Sequence, residues 1–539
     1  MNKKSDEQPV PFLRDLKSLI AHAQEIEQEI EVVARSLMEQ QVESGIYQLV
    51  ADIAVNLEHL QEIFSGSDDA VFREVQIASL ENRRAILVYV HNMSNQHIIN
   101  EHIIEKLTAS HHKIVAGSSN QEVLHYLKSK LLTAAAITES TAMEEAVKRI
   151  LLGDTLLIID GVPSALLIAT REVAIRAIAN PETEADVRGP REGFTEDLRT
   201  GITLVRRRLN NPNLVVKNHV VGSRSRTEVA VLYFKGIVNF KLVCEVERRL
   251  QKLNIDAPQN LGIQKLIEDH PHSPFPTIVA TERPDKFAAA LLKGKVGIIV
   301  DGTPFALLAP AILSDFMAAG DDYHEKWLPA TALRLLRYLA GLVALTVPAL
   351  YVAITTFHPA LLPAPLALTI GISREGVPFP SFVEAVLMIV ALEVMQEAGI
   401  RMPKNVGQAV SIVGGLVLGD SAVRAGIVSA SLVIVNSLTA IATFSIANYR
   451  LVLAVRILRF PLMIAGAAFG MYGVMIGLLI IVVHLSLLES FGEPYLATQV
   501  PRNLVNLQDM KDAMIVAPPA AMDYRPTYLE AEDSRRQKP

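Results

Sequence analysis

Three glutamates stand where carboxylates are costly. Glu384, Glu393 and Glu397 lie in the otherwise apolar run Phe382–Gly399. An ionised carboxylate near a bilayer centre costs roughly 2.5–3.5 kcal/mol on insertion scales, so such a group normally faces a bundle interior or water. Glu393 and Glu397 are spaced i,i+4 and share one helix face, while Glu384 points elsewhere on a straight helix. Two readings stay open: carboxylates lining a conduit, or Glu384 and Glu397 bounding a span at its two interfaces. Glu393 fits the second reading poorly and is the sharpest pore-lining candidate.

The chain lacks the common phosphate-binding and catalytic motifs. There is no G-x-x-x-x-G-K-[ST] phosphate loop, no H-E-x-x-H and no G-x-S-x-G. The Ile158-Ile159-Asp160 and Ile299-Val300-Asp301 runs resemble a nucleotide-site strand, but without a phosphate loop they read as fold. His91, His97, His102, His111 and His112 lack ligand spacing with carboxylates. Arg206, Arg207 and Arg208, like Arg224 and Arg226, have no interleaved aromatics, so nucleic-acid binding is not expected. No enzyme site, metal site or cofactor is expected.

Composition sets the frame. The 539 residues suffice for three or four domains, and 50% are hydrophobic. The mean hydropathy of +0.29 is high for a wholly soluble chain. The single Cys244 forms no internal disulfide, in keeping with a reducing compartment. The N-terminus lacks the apolar core of a signal peptide, so the first 330 residues are expected on the cytoplasmic side.

The chain changes character near residue 331. No Asp, Glu, Lys or Arg occurs from Tyr338 to Ser373, and further uncharged runs cover Asn405–Gly419, Ala425–Tyr449 and Phe460–Leu488. A span needs about 20 apolar residues. Tyr338–Phe357 satisfies that, with Pro348 as a kink. Ala360–Ser373 is short and carries two prolines, so it reads as re-entrant or interfacial. Val428–Ala447 is a good span. Phe460–Leu488, with four glycines, reads as one tilted or bent helix or as two short passes. Arg450, Arg456 and Arg459, like Arg401 and Lys404, read as cytoplasmic loops. Trp327, Arg334 and Arg337 flank the switch and, with Pro348, are the gating and coupling candidates.

The soluble part contains a duplication. Ile158–Leu167, with Asp160 and Pro163, matches Ile299–Leu308, with Asp301 and Pro304. Both are apolar strands entering an Asp-Gly turn, a strong hairpin signal. Upstream, Ala85–Val90 matches Val229–Phe234, each followed by a helical pattern. The expected organisation is a helical lead-in (1–70), two similar α/β subdomains (71–192 and 193–330), a helical polytopic membrane domain (331–490) and a polar tail (491–539). A repeat in the soluble half argues against a secondary transporter, whose repeats lie within the membrane.

Five strings then carry a family resemblance: Val187–Phe194 with Arg188, Gly189 and Pro190; Tyr351–His358; Arg374–Pro380 with Glu375; Glu397–Pro403; and Gly407–Gly414. In this order they resemble the A subunits of the GerA family of spore germinant receptors. The resemblance covers about residues 80 to 500. It implies a membrane subunit of the spore inner membrane, with its soluble region on the core side. It further implies a transporter-like, nutrient-binding B subunit and a lipoprotein C subunit as partners. Assembly as a pentamer into a nutrient-gated cation channel is implied too, with Gln408 and Ser411 added to the pore-lining candidates. The family often carries Glu where this chain has Ile389 and Arg where it has Gln396. That keeps a SpoVAF-like paralogue, amplifying germination without sensing nutrient, as the alternative.

Overall fold

Two strands, Arg83–Val90 and Thr227–Phe234, are apolar without a break from Ala85 and from Val229 onward because helices cover both faces of each sheet. Ile86, Val88 and Val90 enter one core while Ala85, Leu87 and Tyr89 enter another on the opposite face. Ala230, Leu232 and Phe234 alternate with Val229, Val231 and Tyr233 in the same way. The computed structural model describes residues 48–80, 82–109, 120–132, 136–171, 180–401 (apart from 182, 185, 187 and 259), 419–498 and 509–536. The part of the helical lead-in before residue 48 lies outside them, as do Pro403, Gln408 and Ser411.

The chain forms two compact units, one of Met1–Ile175 with Asn210–Asn213, the other of Arg176–Leu209 with Leu214–Pro539. The first holds α1 (Ile53–Ile63), β1 (Ala70–Ile77), β2 (Arg83–Val90), α2 (Asn120–Tyr126), β3 (Ile137–Ser140), α3 (Met143–Leu151), β4 (Thr155–Ile159) and β5 (Ala165–Ile168). Its five-stranded antiparallel sheet runs β1-β2-β4-β5-β3. Helices α1 and α3 cover one face.

The second unit repeats the plan with α4 (Leu198–Arg208), β6 (Leu214–Val221), β7 (Thr227–Phe234), α5 (Phe240–Gln251), α6 (Asn260–Ile267), β8 (Val279–Thr281), α7 (Pro284–Lys293), β9 (Val296–Val300) and β10 (Ala306–Ala309). The order β6-β7-β9-β10-β8 is the same. The duplication thus includes a leading helix: Gly161 N–H donates to Ala51 beside α1, as Gly302 N–H donates to Glu196 beside α4. Gly161 and Gly302 take φ of 79° and 84°, the left-handed turn conformation that the Asp-Gly pairs anticipate.

The same unit continues into α8 (Trp327–Phe357), α9 (Ala364–Arg374), α10 (Ser381–Arg401), α11 (Ala430–Phe444) and α12 (Tyr449–Leu487). Among the described residues, α8 and α12 are long and apolar enough to cross a membrane. Two sequence boundaries shift. Helix α8 begins at Trp327, so the composition switch near 331 falls inside a continuous helix. Helix α12 begins at Tyr449, which moves Arg450, Arg456 and Arg459 out of a loop and into the bundle.

Helix α12 also doubles back. Gly470 has φ 61° and ψ −143°, which no helix interior adopts. A Cβ on Gly466 would meet Val474 at 3.2 Å, and one on Gly477 would meet Leu462 at 2.6 Å. Residues 449–469 and 471–487 therefore form a close antiparallel hairpin, the two-pass reading of this run. The first arm rises about 31 Å at 1.5 Å per residue, a bilayer core's thickness.

Candidate functional site

The entry to α8 is a buried ion cluster. Arg334 and Arg337, one turn apart, present one helix face. Both donate to Asp322 in the preceding turn, Arg334 Nε at 3.0 Å and Arg337 Nη1 at 2.7 and 2.8 Å. The Arg334 and Asp322 side chains are fully buried. Charges at such depth persist only when paired and hydrogen-bonded.

The tail supplies the second carboxylate. Asp512 accepts from Lys293 Nζ at 2.6 Å and from the Tyr323 hydroxyl at 3.1 Å. Its backbone carbonyl accepts from Arg334 Nη1 at 2.8 Å. Burial pushes the Asp512 carboxyl up, but the Lys293 charge and hydrogen bond outweigh that and hold it below its usual range. Burial likewise lowers the Lys293 ammonium, and the Asp512 charge more than reverses it. Thr331 and Val516 exchange hydrogen bonds of 3.2 and 3.1 Å. Trp327, half-exposed, opens the helix beside this cluster.

A second polar cluster lies inside the bundle. Pro348 has no N–H, so the carbonyl of Ala344 has no helical donor. Arg459 Nε, from the first arm of α12, donates to that carbonyl at 2.9 Å. Arg459 Nη2 donates to Thr443 Oγ1 of α11 at 2.9 Å, and Nη1 lies 3.8 Å from Glu393 of α10. Arg456 forms an ion pair with the same Glu393. Four helices meet on two guanidiniums and one carboxylate, and Arg459 is 1% exposed.

The third cluster surrounds Glu384, which is 0% exposed. It accepts from the backbone N–H of Ser429, at the N-cap of α11, where a negative charge is favoured. Arg374 Nε lies 3.5 Å from its other oxygen. Tyr351 of α8 hydrogen-bonds Ser429 and Ser431 at 3.2 and 3.0 Å. Glu384 thus belongs to a buried network rather than to an interface.

Glu393 and Glu397 part company despite their spacing. Glu393 turns toward Arg456 and Arg459, whereas Glu397 is half-exposed and bonds Arg401 at 2.6 and 2.9 Å. The exposed residues of α10 are Val383, Leu387, Val390, Val394, Glu397 and Arg401, a single narrow stripe. Asp301 Oδ1 accepts from Leu198 N–H at 3.2 Å, capping α4, and Asp160 occupies the matching turn in the first unit. Pro163 and Pro304 follow in those turns. Arg188 donates its N–H to Asp321 at 3.1 Å and pairs with Glu325 at 3.3 Å, Gly189 lies against the His324 ring, and Pro190 is half-buried. Glu375 is exposed beside Arg374.

Asp322 and Asp512 were not singled out from the sequence, and Arg456 and Arg459 read there as loop residues. The i,i+3 spacing of Arg456 and Arg459 in an apolar helical pattern, and the donor missing at Pro348, were the available signals.

Residues 58–528 match the model of the Bacillus/Clostridium GerA spore germination protein family. The chain is 39% identical to spore germination protein KA of Bacillus subtilis over 486 residues, covering 90% of this chain and 88% of the relative. It is 38% identical to spore germination protein B1 of the same organism, covering 91% and 100%. A solved N-terminal domain of the A subunit of the Bacillus megaterium spore germinant receptor GerK3 is 30% identical, with a TM-score of 0.38, covering 50% of this chain and 98% of that domain. With its tandem α/β sheets and helical bundle, this chain belongs to the GerA family of spore germination proteins.

Proposed function

We propose that the chain is the A subunit of a nutrient germinant receptor and oligomerises in the spore inner membrane into a nutrient-gated cation channel. A transporter-like B subunit binds the nutrient, and a lipoprotein C subunit completes the receptor. One observation carries the gating reading: α8 is a single helix that runs from the Asp322–Arg334–Arg337 cluster past Pro348 into the bundle. Movement of the soluble pair would reach the membrane through it.

The conduit lies between copies. Glu393 and Glu384 are neutralised within their own bundle, which disfavours a cation path there. The open stripe of α10, which carries Glu397 and its partner Arg401, faces the axis in this reading. The full-length chain, reconstituted with its partner subunits, should conduct cations on nutrient addition, and Glu397→Gln should lower cation selectivity. Absence of conductance in the complete receptor overturns the channel.

One observation favours the amplifier alternative. Ile389, at a position where the family often carries Glu, is buried in an apolar cluster with Ala385, Leu432 and Leu462. A B-subunit gene adjoining that of this chain decides for the receptor.

A further inference from the structure

We infer that Arg459 is a positioning residue that ties the Pro348 turn of α8 to the charged helix α10, so that the two helices move together. The inference rests on the channel reading for its functional consequence, but not for its geometry.

The argument starts from one missing hydrogen. A carbonyl without its helical donor, away from water, costs about as much as a lost hydrogen bond. Bundles answer a proline with a neighbouring donor. Here the donor is a guanidinium, whose five N–H groups form a rigid fork. Its Nε is committed to Ala344 O, its Nη2 to Thr443, and its Nη1 side faces Glu393. Thr443 in turn donates to Thr439 O at 2.7 Å, so its one proton is committed and its oxygen is left to accept from Arg459. Bending α8 at Pro348, or rotating α10, breaks one side of a buried fork whose other sides are fixed.

The geometry makes Pro348 the cause and Arg459 the answer. Alanine at 348 restores an N–H to Ala344 O, and Arg459 is then no longer needed there. The effects of the two substitutions must therefore be strongly non-additive.

The test uses the full-length chain with Pro348→Ala, Arg459→Gln, Arg459→Lys and the double variant P348A/R459Q. Two quantities are read: amide hydrogen exchange across residues 345–352 in the purified chain, and nutrient-triggered germination rate per amount of chain in the spore membrane. R459Q should speed exchange and slow germination by roughly tenfold each, within the usual range of coupling between sites. R459K, lacking the fork, should stay impaired in both. Within the P348A background, R459Q should change either quantity by less than about twofold. Should R459Q fail to accumulate, P348A/R459Q must restore accumulation. Equal effects of R459Q in both backgrounds, or no rescue, overturn the inference. Non-additive exchange with germination untouched by every variant and by deletion of the chain keeps the coupling and rejects the channel reading.

Discussion

Arg334 donates to the backbone carbonyl of Asp512 across 178 residues of chain. The first membrane helix is thus anchored by the last segment of the protein as well as by the turn before it. Asp512 also holds Lys293 of α7, so the tail bridges the second sheet unit and the foot of α8.

Asp322→Ala should be severely destabilising. It leaves the Arg337 guanidinium without its carboxylate and the fully buried Arg334 with Asp512 alone, 3.6 Å from its Nη1. Removing one partner of a buried pair costs about 3–5 kcal/mol. Denaturant unfolding of the purified chain, followed by exchange at residues 327–337, should report that loss. A midpoint within error of the unsubstituted chain refutes the assignment.

The tail should act as a brace. Deleting residues 509–536 removes Asp512 and the apolar anchors Ala513, Val516 and Leu529, all buried. Proteolysis should then cut within 320–337 at least about tenfold faster, because the local opening free energy falls. Asp512→Asn, which keeps the backbone contacts, should give an intermediate rate. Unchanged cleavage means the tail contributes nothing to the junction.

Glu384→Gln should be milder than Glu384→Ala. The amide oxygen can still accept from the Ser429 N–H, while alanine leaves that donor orphaned at the start of α11. Loss of the acceptor costs about 1–2 kcal/mol. Exchange at residues 429–433 is the readout, and equal effects of the two substitutions contradict the capping role.

One pH dependence follows from α5. The hydrogen bond from Arg248, opposed by partial burial and joined by Arg249, holds the Glu245 carboxyl down to about 2. A group lowered on folding stabilises above its unfolded value of 4.5 and loses that contribution as pH falls toward about 2. Glu245→Gln should therefore lower the urea midpoint at pH 6, with the difference shrinking between pH 4.5 and about 2. A difference that does not change with pH excludes the ionic origin.

Much of the soluble fold was legible because its signals are local. Continuous apolar strands and the Asp160-Gly161 and Asp301-Gly302 turns each report their own conformation. The repeat added topology, since both copies must fold alike. The helices at 53–63 and 198–208 were harder to pair, because helical spacing does not say which sheet a helix covers. In the bundle, sequence could place Glu393 in an apolar helix but not name its partners. Arg456 and Arg459 lie 63 and 66 positions away, and only tertiary packing brings them together. The i,i+4 spacing of Glu393 and Glu397 put them on one face, yet the 40° between them separates an inward group from an outward one. The tail's charge suggested solvent, whereas its aspartates are anchors.

The hairpin turn at Gly470 gives the membrane bundle a root and a tip. His484, near the end of the returning arm, hydrogen-bonds Ser273 of the soluble unit at 2.9 Å, and Arg249 stacks on Phe491 just beyond. Tyr449 begins the outgoing arm next to Ile446 and Leu451, which join the core beneath the second sheet. Both arms are rooted in the same place, and Gly470 meets His358 at the opposite end. A structure fixed at one end amplifies displacement along its length. A tilt of about 5° at the root moves a tip about 30 Å away by roughly 2.6 Å, close to the diameter of a water molecule. A slight shift at the root therefore becomes a displacement of that size at the Gly470 end.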